Sequence, residues 1–208
     1  MLSDDLDFVE RCYAYHNNSG PRRSGGGFRY TGPGLNLRMT EFQAALLLAQ
    51  MTRLEEQSRR REQNAAYLTG LLGQIPGIQP AKMYAGCTRS SYHLYMFRYQ
   101  PEPFQGLSRA AFLKALSAEG IPCSAGYGPL NKEPFIKSTL ESRGFRRIYS
   151  EAEIARWAER NHCPDNDKLC SEGVWLTQTM LLGPRADMDQ IAEAVRKVRA
   201  HAGELAKV

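Results

Sequence analysis

Between residues 40 and 75, apolar or small side chains recur three and four positions apart: Leu47, Met51, Leu54, Ala65, Leu68, Leu72 and Ile75. That spacing keeps one side of a helix apolar. It predicts one long helix, opened by a Thr40/Gln43 capping pair and closed near Gly73. Ser58 and Arg61 fall on the same stripe and interrupt it. Residues 42–48 are apolar nearly all round, which predicts burial on several sides. Residues 55–64 are strongly polar, which predicts a stretch that crosses solvent. Such a helix suits a connector between two structural units; the short, interrupted stripe argues against a coiled coil.

The pattern then changes. Residues 92–99 (YHLYMFRY) are aromatic-rich and short, the signature of a strand. Ser108 caps a helix through Glu119, with Phe112, Leu113 and Leu116 on one face and Gly120 as its stop. Residues 121–125 predict a second strand, residues 126–130 a turn, residues 131–150 an irregular basic stretch, and residues 151–161 a short helix. A third strand follows over 173–177. Asp187 and Gln190 form a second capping pair, and Met188, Ile191, Val195, Val198, Ala202 and Leu205 stripe the last helix. The alternation predicts a small α/β domain with helices packed on one face of a short sheet. The expected organisation is therefore an interface segment over 1–39, a connector helix over 40–75, and a small α/β domain over 76–208.

Composition narrows the function classes. At 208 residues with 42% apolar and 24% charged residues, the chain is of globular type. No apolar run approaches the ~18 residues of a membrane span, and the acidic start lacks the basic and apolar regions of a signal peptide. A cytoplasmic protein is expected, its five cysteines reduced. The net charge of +5 is spread over small clusters separated by acids, so no nucleic-acid face is expected. The ligand-rich stretch 162–170 matches no common zinc template and reads as a loop entering a strand, so no metal site is expected. The breaker-rich residues 17–35 predict a long loop. Residues 1–16 read as a short helix or strand needing outside partners to cover its apolar side.

The stretch Gly34-Leu-Asn36-Leu-Arg38-Met-Thr40-Glu-Phe-Gln43-Ala-Ala45 sets an amide and a guanidinium just before a capped helix. Free N–H groups and the helix dipole make that position suited to an anion; ordering of the loop is the alternative reading. The stretch resembles the G-x-N-x-R-M-x-E-x-Q-A-A signature of the DegT/DnrJ/EryC1/StrS aminotransferases. The similarity continues through Arg61-Glu-Gln-Asn64, Tyr67, Tyr92-His-Leu-Tyr95, Glu119-Gly-Ile-Pro122, Val174-Trp-Leu-Thr-Gln178 and Asp187-Met-Asp189. The resemblance implies the C-terminal part of a fold-type I pyridoxal-phosphate (PLP) enzyme acting on keto-sugars or keto-cyclitols with an amino-acid donor. It implies a homodimer whose cofactor site is shared across the interface. Asn36, with Arg38, would bind the cofactor, reaching the partner's phosphate. His16 and Tyr30 flank the loop as candidate substrate-binding residues, local packing being the alternative. Tyr127 matches the tyrosine of the family's H-Y-x-P-L-H turn, and Gly126 and Asn131 replace its two histidines. Asn131 is carried with Tyr127 as a substrate-binding candidate. In the family the cofactor-bearing lysine precedes the matched portion, and none of the seven lysines here matches its motif. No catalytic residue is therefore expected in this chain, and it is expected to be inactive alone. A non-catalytic dimerising or regulatory α/β module derived from the family is the alternative.

Overall fold

The computed structural model describes residues 3–20 and 32–206. The chain divides into two compact units, Met1–Leu47 with Pro129–Pro164, and Leu48–Gly128 with Asp165–Val208. The units cut across the expected segments 1–39, 40–75 and 76–208. The break falls within a helix, and residues 129–164 group with the N-terminal stretch.

In the first unit, α1 (Leu6–His16) is capped by Asp5, whose carboxylate accepts from the Phe8 N–H at 3.0 Å. α2 (Glu41–Met51) carries the expected capping box: Thr40 N–H to Gln43 Oε1 at 2.8 Å, and Gln43 N–H to Thr40 Oγ1 at 3.3 Å. Residues expected to be irregular form α5 (Pro134–Leu140) and α6 (Arg143–Ile148), the first with proline in its opening turn and the second capped by Ser142. The expected helix over 151–161 is two pieces, α7 (Glu151–Ala155) and α8 (Trp157–Arg160), and Ser150 and Glu153 close a capping box on the first.

The one connector helix expected over 40–75 is two helices. α3 (Leu54–Leu72) follows α2 after a break at Thr52 and Arg53. There the Thr52 hydroxyl donates back to the Ala49 carbonyl at 2.7 Å, and the Arg53 N–H takes the Gln50 carbonyl at 3.1 Å. A side-chain donor competing for helical carbonyls in this way bends or ends a helix.

The second unit holds the core. β1 (Ile78–Pro80), β2 (Leu94–Tyr99) and β3 (Gly173–Thr177) form an antiparallel sheet in the order β1-β2-β3, with Tyr95 opposite Leu176 and Phe97 opposite Val174. Tyr95, Phe97 and Tyr99 are buried while Leu94, Met96 and Arg98 are not, the period of two that marks a sheet with one core face. That face packs with α3, with α4 (Arg109–Ala118) and with α10 (Arg185–Ala200) in one cluster. Tyr99 stacks on Phe112 at 4.3 Å, and Phe104 meets both rings edge-on. The Tyr99 hydroxyl donates to the Leu107 carbonyl at 2.8 Å, so the buried phenol is satisfied.

The strand expected over 121–125 reduces to a single bridge, Ser124 to Trp175. Pro122 has no N–H to give, and Gly126 turns away in the left-handed region at φ +76°. β1 escaped the reading because it is three residues long, follows Gly77 at φ +91°, and itself ends in a proline, Pro80. α10 is capped at Pro184, three residues before the expected Asp187, and its stripe from Met188 to Val198 is buried as expected. The stretch read as a loop before β3 is α9 (Pro164–Glu172), with acids in its first turn. Among the described residues no group of His, Cys, Asp or Glu is placed to hold a metal. A short α11 (Ala202–Leu205) closes the described chain.

The expected solvent crossing in α3 holds at Glu55, Glu56, Arg59, Arg60 and Gln63, which are exposed, and is corrected at Ser58, Arg61 and Asn64, which are buried. Arg61 donates to Gln178 Oε1 at 2.8 Å and to Ser58 Oγ at 3.2 Å. Asn64 Nδ2 donates to the carbonyls of Leu181 at 2.8 Å and Gly183 at 3.0 Å. The interrupting polar residues thus face a turn that offers acceptors. Arg109 does similar work, one guanidinium nitrogen taking the carbonyls of Ala125, Cys170 and Gly173.

Among the described residues, all 23 buried apolar side chains lie in the second unit, and α1 and α2 bury none. Phe112→Ala should therefore cost about 3–5 kcal/mol of stability, and Phe42→Ala, at an exposed position, should stay within about 0.5 kcal/mol. Urea unfolding of the two variants checks this.

Candidate functional site

The loop ahead of α2 is held by α1. Leu35 N–H donates to the Tyr15 carbonyl at 2.6 Å, Leu37 N–H to the His16 carbonyl at 3.1 Å, and Asn18 N–H to the Leu35 carbonyl at 3.1 Å. Asn17 and Asn36 thereby form an antiparallel bridge. The return from α1 passes through Asn18 and Ser19, both in the left-handed region, at φ 52° and 63°. Gly34 is required there, because a Cβ would overlap the Ser19 backbone nitrogen.

This frame brings His16, Asn36 and Arg38 into one neighbourhood. Asn36 and Arg38 are exposed, and Arg38 Nε donates to Asn36 Oδ1 at 3.1 Å. Both side chains thus keep donor groups beyond this bond, at exposed positions just ahead of the N-terminus of α2, where the helix dipole favours an anion; Glu41 in the first turn is the acid beside them. His16 is held on its own helix, Nδ1 at 3.3 Å from the Cys12 carbonyl and the ring edge-on to Tyr13 at 5.0 Å.

The other candidates stand apart from this group. Tyr127 is exposed and meets Trp175 edge-on at 5.0 Å, beside Gly126, whose added Cβ would lie 2.6–2.8 Å from indole ring atoms. Asn131 donates to the Asn161 carbonyl at 2.7 Å, and its buried Oδ1 has no partner. One amide N–H thus goes to the end of α8, and the amide oxygen stays unpaired. Tyr30 and the glycine run at 25–27 lie outside the described residues.

Sequence reasoning missed what Arg61, Asn64, Tyr67 and Gln178 do. They are joints: besides the bonds above, Tyr67 donates to Asp189 Oδ1 at 2.6 Å, and Arg185 lies over its ring at 3.7 Å. The signal was present as polar residues recurring at three on an apolar stripe, an arrangement that asks for buried partners.

A model of the DegT/DnrJ/EryC1/StrS aminotransferase family matches residues 1–196. The L-glutamine:2-deoxy-scyllo-inosose aminotransferase of Streptomyces fradiae is 34% identical over 174 residues, covering 83% of this chain and 40% of its own length. The enzyme of the same name from Streptoalloteichus tenebrarius is 33% identical over 184 residues, with 83% and 40% covered. Among solved structures, 3-amino-5-hydroxybenzoic acid synthase superposes with a TM-score of 0.58 at 27% identity, over 96% of this chain and 48% of that one. The chain thus spans two fifths to one half of the relatives it matches.

Gly126→Ala should lower stability by about 2–4 kcal/mol, from left-handed strain and overlap with the indole. It should also shift the Trp175 emission, and thermal unfolding followed by tryptophan fluorescence reads both effects.

Proposed function

Because the chain belongs to the DegT/DnrJ/EryC1/StrS aminotransferase family, we propose that it forms the C-terminal part of an aminotransferase. The enzyme moves an amino group from an amino-acid donor onto a keto-sugar or keto-cyclitol. The observation that carries the reading is the donor set at the start of α2. Asn36 and Arg38 are tied to each other at exposed positions, on a loop braced by α1. That set fits the phosphate of PLP. When bound, PLP supplies the electron sink that lets an amino group change carbon. This chain's contribution is to hold the phosphate, through Asn36 and then Arg38, at the site of a partner protomer. His16, beside the same loop, and the exposed phenol of Tyr127 are the residues offered to substrate; Asn131 serves packing first. The cofactor-bearing lysine comes from outside the matched portion, so the chain alone does not transaminate. Charge-assisted bonds of this kind contribute about 1.5–3 kcal/mol each.

A chimera of a relative's N-terminal half joined to this chain tests the assignment. Asn36→Ala should weaken PLP binding roughly 5- to 150-fold, equivalent to about 1–3 kcal/mol, with the unfolding transition unchanged. Lower thermal stability with unchanged cofactor affinity would mean that Asn36 only orders the loop. In a mixed dimer, one protomer carries Asn36→Ala and the other lacks the lysine. Contribution across the interface predicts one near-normal site, because the intact lysine meets the intact Asn36. A weakened site would place Asn36 in the same protomer as the lysine it serves.

A further inference from the structure

Gly126 stands directly against the indole of Trp175. Its backbone is in the left-handed region at φ +76°, and an added Cβ would lie 2.6 Å from Cε2, 2.7 Å from Cζ2 and 2.8 Å from Nε1 of that ring. The histidine that the H-Y-x-P-L-H turn carries at this position would meet the indole with its first side-chain atom. The indole therefore takes the start of the space such a side chain would fill, and its ring nitrogen lies there. Backbone bonds fix it in place: Trp175 N–H donates to the Ser124 carbonyl at 2.8 Å, Ser124 N–H to the Trp175 carbonyl at 3.1 Å, and Met96 is its partner across the sheet. Arg109 ties the adjoining carbonyls of Ala125 and Gly173 to one guanidinium nitrogen.

Tyr127 meets the indole at 75°, so the two rings form a corner, with the phenol 64% exposed and the indole half-buried. A tryptophan with a buried body usually spends its N–H on an acceptor. Among the described residues none takes the Trp175 indole N–H, and that nitrogen keeps access to solvent. The donor is placed, open and unspent. An indole N–H donates and never accepts, so its complement is an oxygen; the aromatic corner beside it suits the C–H face of a ring rather than a charged group. A polyhydroxylated ring offers both. We infer that Trp175 is a specificity-determining residue: its indole N–H donates to a hydroxyl or carbonyl oxygen of the keto-sugar or keto-cyclitol, whose C–H face lies against the Tyr127–Trp175 corner. A ring without an oxygen at that place loses the bond. The inference rests on the proposed function for the substrate class.

The test uses the PLP-loaded chimera with a relative's N-terminal half, its tryptophans labelled with nitrogen-15. The Trp175 indole N–H resonance is assigned by its loss in Trp175→Phe, and that of Trp157 by its loss in Trp157→Phe. Titration with scyllo-inositol, a ring with two C–H faces and no ketone to react, should move the Trp175 resonance saturably and leave the Trp157 resonance in place. Trp175→Phe keeps an aromatic ring and removes the N–H. It should raise KM for scyllo-inosose roughly 3- to 10-fold and keep kcat within about twofold, the mark of lost binding rather than lost chemistry. A Trp175 resonance that stays in place while the chimera aminates scyllo-inosose overturns the inference and leaves the functional reading standing. So does a Trp175→Phe variant with a lower unfolding temperature and an unchanged KM, since the indole then only packs. A resonance that moves in a chimera that takes up PLP but transfers no amino group keeps the contact and defeats the functional reading; a still resonance in such a chimera defeats both.

Discussion

Apolar surface must be covered, and in this chain the covering is unequal. The sheet, α3, α4 and α10 close one core in which Tyr99, Phe104 and Phe112 form an aromatic centre. Burial of this kind is the main force opposing chain entropy. Among the described residues the first unit has no such reserve: α1 and α2 bury nothing, and its second stretch is a run of short helices held by caps. The candidate phosphate loop sits in that first unit. Its geometry depends on a few backbone bonds to α1 and on the Thr40/Gln43 box, not on a packed core beneath it.

The second unit uses polar groups as joints within its apolar body. Ser58, Arg61 and Asn64 lie on one face of α3 and meet Gln178 and the carbonyls of Leu181 and Gly183. The helix is thereby fixed in register to the turn that precedes α10. Removing one member strands buried partners, which costs more than the bond itself contributes. The motif residues in this stretch are therefore explained by assembly of the domain, and the cofactor-facing role we propose falls to the separate loop around Asn36.

Much of this was legible in the sequence where local chemistry and tertiary need agree. The Ser108 cap, the Thr40/Gln43 box, the alternation of β2 and the α10 stripe all reappear. What was not legible depended on partners distant in the chain. Arg61 and Asn64 read as solvent-facing because the acceptors lie more than a hundred residues away. The α2–α3 break hinges on one hydroxyl, Thr52, turning back onto the helix. β1 is too short to carry a period. At the site, the placement of Asn36 and Arg38 ahead of a capped helix could be read from spacing, and their pairing and the bracing of their loop by α1 could not. The bond from the Asn131 amide N–H to the Asn161 carbonyl was equally out of reach, because it joins positions thirty residues apart.

The account stands on the claim that the second unit is self-sufficient and the helix leading into it is not. Native-state hydrogen exchange on the isolated chain tests that claim most directly. Amides of β2, β3, α10 and the C-terminal half of α3 should exchange only through global unfolding. Those of α1 and of α2 up to Leu47 should exchange many-fold faster, near the rates of an unprotected helix. Protection of α2 equal to that of β2 in the isolated chain would contradict the account.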